Sequence, residues 1–131
     1  MSESGNLQSP WLRYVDLTEL RHYAEVSGDS NPIHLDQSEA IAAGHPQIIC
    51  HGMLAMTDIG RWLIQVMDGW RIETFHCRFL APVPIHSRLR VSANYADEPF
   101  PKTRKASLNF SAQDQNGAMK VDGQATFRRL T

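Results

Sequence analysis

The apolar segment from Gly52 to Met67 is the feature that most restricts the fold of this chain. Its apolar side chains cover more than one face of a helix, and a helix that is apolar nearly all round is usually buried. At about 1.5 Å per residue the helix would be about 24 Å long, which is enough to cross a small domain. Asp68-Gly69 ends the segment. We therefore expect a central helix that other elements cover.

Four segments after this helix alternate apolar and polar residues with the period of a β-strand. Ile72 is out of phase with the first segment unless a bulge intervenes, and the residues Asp114-Gln115-Asn116-Gly117 predict a hairpin turn between the last two. Because each strand has one apolar face, the simplest arrangement is an α+β fold in which a curved antiparallel sheet wraps around the helix. The segments are Phe75–Phe79, Leu89–Tyr95, Ala106–Ala112 and Met119–Phe127.

The residues before the central helix are predicted to form an arm, a short strand and two shorter helices. Residues 1–10 are rich in Ser, Gly, Asn and Gln, which is typical of a mobile arm, so the domain is expected over residues 11–131. Aromatic and β-favouring residues predict a strand over Trp11–Asp16. The helical period predicts an amphipathic helix over Thr18–Ser27, and Asp36–Ala43 is a second candidate that Gly44 would end.

Composition restricts the class of function. The chain has 131 residues and a net charge of −1, with both signs scattered, so neither a nucleic-acid footprint nor a membrane-surface patch is predicted. Asp58, Arg61 and Asp68 interrupt the apolar runs, and the first residues lack the apolar core of a signal peptide. Cys50 and Cys77 are too few for a disulfide framework. We expect a soluble, cytoplasmic protein.

A sharp bend after the first helix carries two titratable side chains, Asp29 and His34. Gly28 can adopt the left-handed conformation that ends a helix, and Pro32 biases the residue before it away from helix. A carboxylate and an imidazole at short range can activate one water molecule. The alternative is structural, with Asp29 capping a turn and His34 buried with its hydrogen bonds satisfied.

A second motif, His51-Gly52-Met53, opens the central helix. Its combination with Gly28-Asp29-x-Asn31-Pro32-Ile33-His34-x-Asp36 resembles the MaoC-like acyl dehydratases, which include R-specific enoyl-thioester hydratases of the hot-dog fold. The resemblance runs from about Val15 to the C-terminus. It implies a single hot-dog domain and a hydro-lyase that adds water to 2-enoyl thioesters or dehydrates 3-hydroxyacyl thioesters. The acyl group would be linked to coenzyme A or to an acyl carrier protein.

The resemblance also implies roles for individual residues. Asp29 and His34 would hold the catalytic water or the leaving hydroxyl between them. Gly52 would direct a backbone N–H from the start of the buried helix at the thioester carbonyl. Asn31 would stabilise the bend or help to orient the water. His51 and Met53 would line the substrate pocket, and a capping or packing role explains His51 equally well.

Further expectations concern partners, metals and cofactors. The resemblance implies a homodimer whose sheets pair side by side, and no cofactor besides the thioester substrate. The spacing of His34, His45 and His51 does not match a helical metal pair, and no Cys-x-x-Cys occurs, so no metal site is predicted. The strand arginines would meet the phosphates of coenzyme A or the acidic surface of a carrier protein, or else simply face solvent; they are Arg71, Arg78, Arg88 and Arg90.

One residue departs from the family pattern, and two other functions fit the same fold. Gly60 stands where some hydratases of the family carry a serine, which we interpret as an enlargement of the pocket. A hot-dog thioesterase would need a carboxylate beside the central helix and would leave the Asp29–His34 bend unexplained. A non-catalytic acyl-thioester-binding partner subunit is the other alternative, because paired hot-dog chains can divide labour.

Overall fold

Residues 6–96 and 104–131 are described by the computed structural model, and within them five strands form one antiparallel sheet. The elements, in chain order, are β1 (Leu7–Gln8), α1 (Leu17–Ser27), a one-turn 3₁₀ helix (Pro32–His34), α2 (Gln37–Ala42), α3 (Gly52–Val66), β2 (Trp70–Phe79), β3 (Leu89–Tyr95), β4 (Lys105–Asp114) and β5 (Met119–Arg129). The strand order across the sheet is β1-β3-β4-β5-β2. The predicted α+β class is confirmed.

One face of α3 packs on the inner face of the sheet and forms the core. Ile59 and Leu63 of this helix are fully buried. They belong to the same apolar cluster as Leu108, Val121 and Phe127 of the central strands. Burial of one such side chain is worth about 1.5–3 kcal/mol relative to leaving it exposed, so this contact fixes the helix across the sheet.

The opposite face of α3 is not covered by the described residues, which corrects the expectation of a helix surrounded on all sides. Met53 is 60% exposed and Ile64 is 52% exposed. The apolar residues of α3 therefore exceed what the sheet formed by residues 6–96 and 104–131 buries. The described part of the chain has no helix long and apolar enough to cross a membrane.

The predicted bulge and hairpin turn are both present. The pairing of β2 with β5 shifts register between Ile72 and Thr74, which returns Ile72 to the apolar side. In the turn between β4 and β5, the carboxylate of Asp114 accepts hydrogen bonds from the backbone N–H groups of Asn116 and Ala118. The polar side chain of Asp114 is therefore buried with its acceptor capacity used.

The strand predicted over Trp11–Asp16 is wrong, and so is the boundary drawn at residue 10. The strand is Leu7–Gln8, which pairs with β3, and the buried hydroxyl of Ser9 accepts a hydrogen bond from Val91 N–H. Pro10 follows directly, and a proline has no N–H to continue the ladder. Residues 7–9 thus belong to the sheet edge, and residues 1–5 of the predicted arm lie outside the described residues.

The helices before α3 lie within one residue of their predicted bounds because their caps are encoded locally. The side chain of Asp16 accepts from Glu19 N–H at 3.0 Å and begins α1, and Asp36 does the same for Glu39 in α2. Gly28 ends α1 in the left-handed conformation, with φ of 80° and its N–H donated to the carbonyl of Ala24. The end of α1 is what places the bend.

Candidate active site

The bend between α1 and α2 is held by short polar contacts. Asp29 Oδ1 accepts from Asn31 N–H at 3.2 Å, and Asn31 Oδ1 accepts from Ile33 N–H at 3.2 Å. Pro32 occupies the first position of the 3₁₀ turn, where its missing N–H costs nothing. The observed hydrogen bonds of Asn31 therefore stabilise the bend, which is the first of the two roles expected for it.

The orientation of His34 is set by the segment before α3. Its Nδ1–H donates to the carbonyl oxygen of Ile49 at 2.8 Å, so Nε2 carries the free lone pair of the neutral ring. Nε2 lies 4.0 Å from Oδ2 of Asp29. His34 is 8% exposed, whereas the side chain of Asp29 is 54% exposed. The bend thus brings the two predicted catalytic groups together, one buried and one facing solvent.

The environment of His34 favours its neutral form. Burial is the largest influence and lowers the pKa of His34, while the hydrogen bond to the Ile49 carbonyl opposes that shift. The neighbouring His51 also lowers this pKa, and the Asp29 carboxylate raises it. The pKa of His34 lies below its usual value of 6.5, so at neutral pH its Nε2 is available to accept a proton.

His51 lies behind His34. Its ring stacks on the His34 ring with centroids 4.0 Å apart, and the edge of Tyr23 contacts it with centroids 4.8 Å apart. Its Nε2–H donates to the backbone carbonyl of Asp29 at 2.9 Å. The residue is 1% exposed, so the structure places it in the packed support of the bend.

A cavity of about 380 Å³ brings His34 and Gly52 together. Phe79 and Val83 form other parts of its wall, and neither Asp29 nor His51 is among its lining residues. Asp29 lies next to this lining, with Oδ2 4.0 Å from Nε2 of His34. The two motifs that the sequence singled out therefore meet at one concave surface, although they are separated along the chain.

Gly52 is the first residue of α3, where backbone N–H groups have no acceptor within the helix. The preceding residue provides no side-chain cap, so the helix start remains available to an external acceptor. The ring of Phe79 packs on Gly52, and a Cβ at this position would lie 3.2 Å from Phe79 Cζ. Only a residue without a side chain fits here without moving the ring.

Phe79 is a site residue that the sequence did not single out. Its alternation with Cys77 assigned it to a strand face, but it lies at the end of β2, 39% exposed, and forms the wall beside Gly52. The signal available in the sequence was its position at the last residue of the strand, just before the segment Leu80–Pro82 that also borders the cavity.

Gly60 and Met53 lie on a different surface. Together with Met56, Ile64 and Phe75 they line a groove of about 460 Å³ on the uncovered face of α3. A Cβ on Gly60 would lie 3.0 Å from Phe75 Cε2. The space that a serine would occupy is therefore taken by the Phe75 ring, and Gly60 does not enlarge the cavity at His34.

One atom from each of Asp29, His34 and His51 lies within 4.8 Å of the others, which is a spacing seen at metal sites. The arrangement of the rings does not suit a metal ion. A metal lies in the plane of each imidazole that binds it, and the two stacked rings occupy nearly parallel planes at 26°. The geometry around Asp29 Oδ2 and His34 Nε2 instead suits one water molecule.

The carboxylate of the central helix is already paired. Asp58 Oδ2 accepts from Arg13 Nε at 2.9 Å, and Arg13 also donates to Glu19 at 3.0 Å. Asp58 faces the segment before α1 and is not among the residues that line the His34 cavity. Its role is therefore structural.

Three of the four strand arginines make contacts that explain them without a phosphate. Arg78 donates to the carboxylate of Asp122 at 3.0 Å. Arg90 lies over the Trp11 ring at 4.4 Å, and Arg88 lies over the Tyr14 ring at 5.5 Å. Such cation–π contacts tie the segment before α1 to β3 and to the residue just before that strand.

Comparison with known proteins identifies relatives over most of the chain. A family model described as "MaoC like domain" matches residues 7–112. The mitochondrial 3-hydroxyacyl-[acyl-carrier-protein] dehydratase of Arabidopsis thaliana is 28% identical over 117 residues, which are 87% of this chain and 70% of that protein. A fatty acid synthase beta subunit of Cochliobolus carbonum is 36% identical over 76 residues, or 56% of this chain. The chain spans only 4% of that beta subunit's length.

Solved structures share the fold. The (R)-hydratase from A. caviae involved in PHA biosynthesis has a TM-score of 0.83 and 23% identity, with 96% of this chain and 95% of that chain covered. An R-hydratase from Pseudomonas aeruginosa has a TM-score of 0.82 and 27% identity, with 96% and 80% covered. The ChsH1-ChsH2 complex from Mycobacterium tuberculosis has a TM-score of 0.79 and 17% identity, with 98% and 99% covered.

Proposed function

Because the chain belongs to the MaoC-like dehydratase family, we propose that it is a hydro-lyase acting on acyl thioesters. It would add water to the C2–C3 double bond of a 2-enoyl thioester and, in reverse, dehydrate a 3-hydroxyacyl thioester. The observation that carries this proposal is the cavity shared by His34 and Gly52, with Asp29 Oδ2 lying 4.0 Å from His34 Nε2. One surface thus combines a proton acceptor with a free helix start.

The first step is attack of water on C3. A water bound between Asp29 and His34 gives a proton to His34 Nε2 as its oxygen forms the bond to C3. The π electrons of the double bond move to C1–C2, and the thioester oxygen becomes an enolate. General acid–base catalysis of this kind contributes typically about 10²–10⁴-fold to the rate.

The second step returns the proton to carbon. The enolate oxygen accepts a hydrogen bond from the N–H of Gly52 at the positive end of α3. At the same time C2 takes a proton from the pair formed by Asp29 and His34. The reaction balances because the hydroxyl group of the water ends on C3 and its other hydrogen ends on C2. One preorganised donor of this kind is worth about 2.7–4 kcal/mol in the transition state.

The proposal is tested with crotonyl-CoA. We expect the absorbance of the conjugated enoyl group to fall as 3-hydroxybutyryl-CoA forms, with no free thiol released from butyryl-CoA. Repeating the assay with the crotonyl group on an acyl carrier protein decides which carrier is preferred. Absence of hydration with both carriers over a series of chain lengths would reject the hydro-lyase proposal.

The same assays separate the two alternatives. Thiol release without hydration would identify a thioesterase, which the pairing of Asp58 with Arg13 disfavours. If the activity depended on Asp58, an Asp58→Asn variant would lose it, whereas a hydratase centred on His34 would keep it. Tight binding of enoyl-CoA without either reaction would indicate a non-catalytic partner subunit.

We also propose that two copies of the chain form a homodimer through β2 and the uncovered face of α3. The outer edge of β2 pairs with no strand among the described residues, and the groove lined by Met53, Ile64 and Phe75 lies next to it. An unpaired edge beside an apolar groove is a surface that a second copy can cover.

Light scattering during size-exclusion chromatography tests the dimer. Ile64→Lys places a charge in the groove and should give a monomer. The matched control is Ile41→Lys on α2, because Ile41 is 54% exposed and Ile64 is 52% exposed. The control should remain a dimer. A monomeric wild-type protein, or an Ile64→Lys variant that stays dimeric, would reject this interface.

A further inference from the structure

His51 lies between the two parts of the proposed site, which are the bend with Asp29 and His34 and the helix start at Gly52. It is the residue before Gly52 and the N-terminal cap of α3, yet its side chain makes no capping hydrogen bond to the helix. That side chain instead reaches the bend, where Nε2–H donates to the backbone carbonyl of Asp29. One side chain therefore connects the helix start that carries Gly52 with the bend that carries Asp29.

The tautomer of His51 follows from that contact. A carbonyl oxygen only accepts, so Nε2 must carry the proton in the neutral ring and Nδ1 must be bare. No described residue offers Nδ1 a hydrogen-bond partner, and the atom is buried. The environment thus provides no acceptor for a second proton on this ring.

The ring of His51 also fixes the ring of His34. The two stack with centroids 4.0 Å apart, and Tyr23 makes an edge contact with His51, with centroids 4.8 Å apart. Two imidazolium ions at this separation would repel each other, which is how His51 lowers the pKa of the stacked His34 ring. The Nδ1–H of His34 is held by Ile49 while its ring plane is held by His51.

From these contacts we infer that His51 is a positioning residue that sets Asp29 and His34 at a fixed distance from the Gly52 N–H. This inference rests on the proposed hydro-lyase function. His51 touches neither the cavity nor the reacting atoms, so it acts through the Asp29 carbonyl and the His34 ring. It would fix the position of the water site relative to the oxyanion donor.

Two substitutions separate the hydrogen bond from the ring. His51→Phe keeps an aromatic ring against His34 and removes the donor. His51→Gln removes the ring and keeps an N–H donor near the position of Nε2.

Loss of supporting contacts around a reactive group commonly costs about 10–100-fold in activity, as it does behind metal ligands. We expect this loss in kcat for His51→Phe, with KM within about twofold, and partial recovery in His51→Gln. The control is His22→Gln, an exposed histidine of α1 that should leave both constants unchanged.

Nuclear magnetic resonance provides a readout that does not depend on activity, and its first measurement needs only the wild-type protein. In the wild-type protein the ¹⁵N shifts of His51 should show a protonated Nε2 and a bare Nδ1. In His51→Phe the midpoint of the His34 titration should move to higher pH.

The inference is overturned if wild-type His51 carries its proton on Nδ1, or if a folded His51→Phe variant keeps kcat within about threefold of wild type. If the wild-type protein hydrates no thioester, the proposed function fails, and the tautomer and the His34 titration still decide the positioning role.

Discussion

Oδ2 of Asp29 lies 4.0 Å from Nε2 of His34, a separation that is too long for a direct hydrogen bond. A water oxygen about 2.8 Å from each atom would subtend an angle of about 90°, which both groups can satisfy. His34 Nε2 is free to accept because Nδ1–H is donated to Ile49. The pair is therefore arranged to hold a third group rather than to bind each other.

The first prediction is that both members of this pair are needed for hydration. Asp29→Asn and His34→Ala should each lower kcat on crotonyl-CoA by about 10²–10⁴-fold, because each removes one of the two groups that hold and deprotonate the water. Thermal unfolding should show that both variants are folded. Asp68→Asn, at an exposed position after α3, is the control and should keep wild-type activity. A fully active Asp29→Asn or His34→Ala variant would contradict the assigned roles.

The second prediction concerns pH. Burial lowers the pKa of His34, so the unfolded chain binds more protons than the folded chain as the pH falls through 6.5. The stability that the neutral ring contributes is fully present above this pH and decreases below it. Urea denaturation between pH 7.5 and 5.5 should show stability falling more steeply for the wild type than for His34→Gln. The acid limb of kcat/KM should likewise have its midpoint below 6.5, and a midpoint above that value would contradict a lowered pKa.

The sequence predicted those features whose causes are local. The apolar period of α3, the phase break at Ile72 and the hairpin at Asp114 each depend on a few neighbouring residues. The proximity of Asp29 and His34 follows from Gly28, which ends a helix, and from a proline-stabilised turn.

The features that escaped prediction depend on distant contacts. Leu7–Gln8 is too short to show alternation and becomes a strand only because β3 lies beside it. The packing of Phe79 on Gly52 and the stacking of His51 on His34 require the folded sheet and bend. The periodicity of α3 likewise does not reveal that one apolar face stays uncovered at Ile64.

The third prediction is that Gly52→Ala separates activity from stability. The added Cβ would lie 3.2 Å from Phe79 Cζ and displace the ring, which forms part of the cavity wall. Alanine also favours a helix by up to about 1 kcal/mol over glycine. We expect kcat to fall by about tenfold, less than the loss of a whole oxyanion donor, with unfolding stability unchanged or raised. In a Phe79→Ala background, where the displaced ring is absent, adding Gly52→Ala should lower kcat much less than it does in the wild-type protein. Unchanged kcat in Gly52→Ala would remove Gly52 from the site.

The fourth prediction concerns Gly60. A serine Cβ would lie 3.0 Å from Phe75 Cε2, and overpacking of this kind costs about 1–3 kcal/mol. Gly60→Ser should therefore lower the unfolding free energy, and Phe75→Leu in the same chain should restore it. The relative rates on enoyl-CoAs of different chain length should stay the same, since Gly60 does not line the His34 cavity. A shifted chain-length profile at unchanged stability would place Gly60 in the acyl site after all.

The last prediction concerns His86, which has a φ of 69° between β2 and β3. A left-handed conformation costs a residue with a Cβ about 1–2 kcal/mol, and here stacking on Tyr14 and a hydrogen bond from His86 N–H to Val15 offset that cost. His86→Gly and His86→Ala both lose the stacking, but only alanine keeps the strained Cβ. The glycine variant should therefore be the more stable by about 1 kcal/mol in urea denaturation, the reverse of the usual order. The same pair at His76, an exposed position in β2, should show the usual order with alanine more stable. If alanine is the more stable at both positions, the backbone at His86 carries no strain.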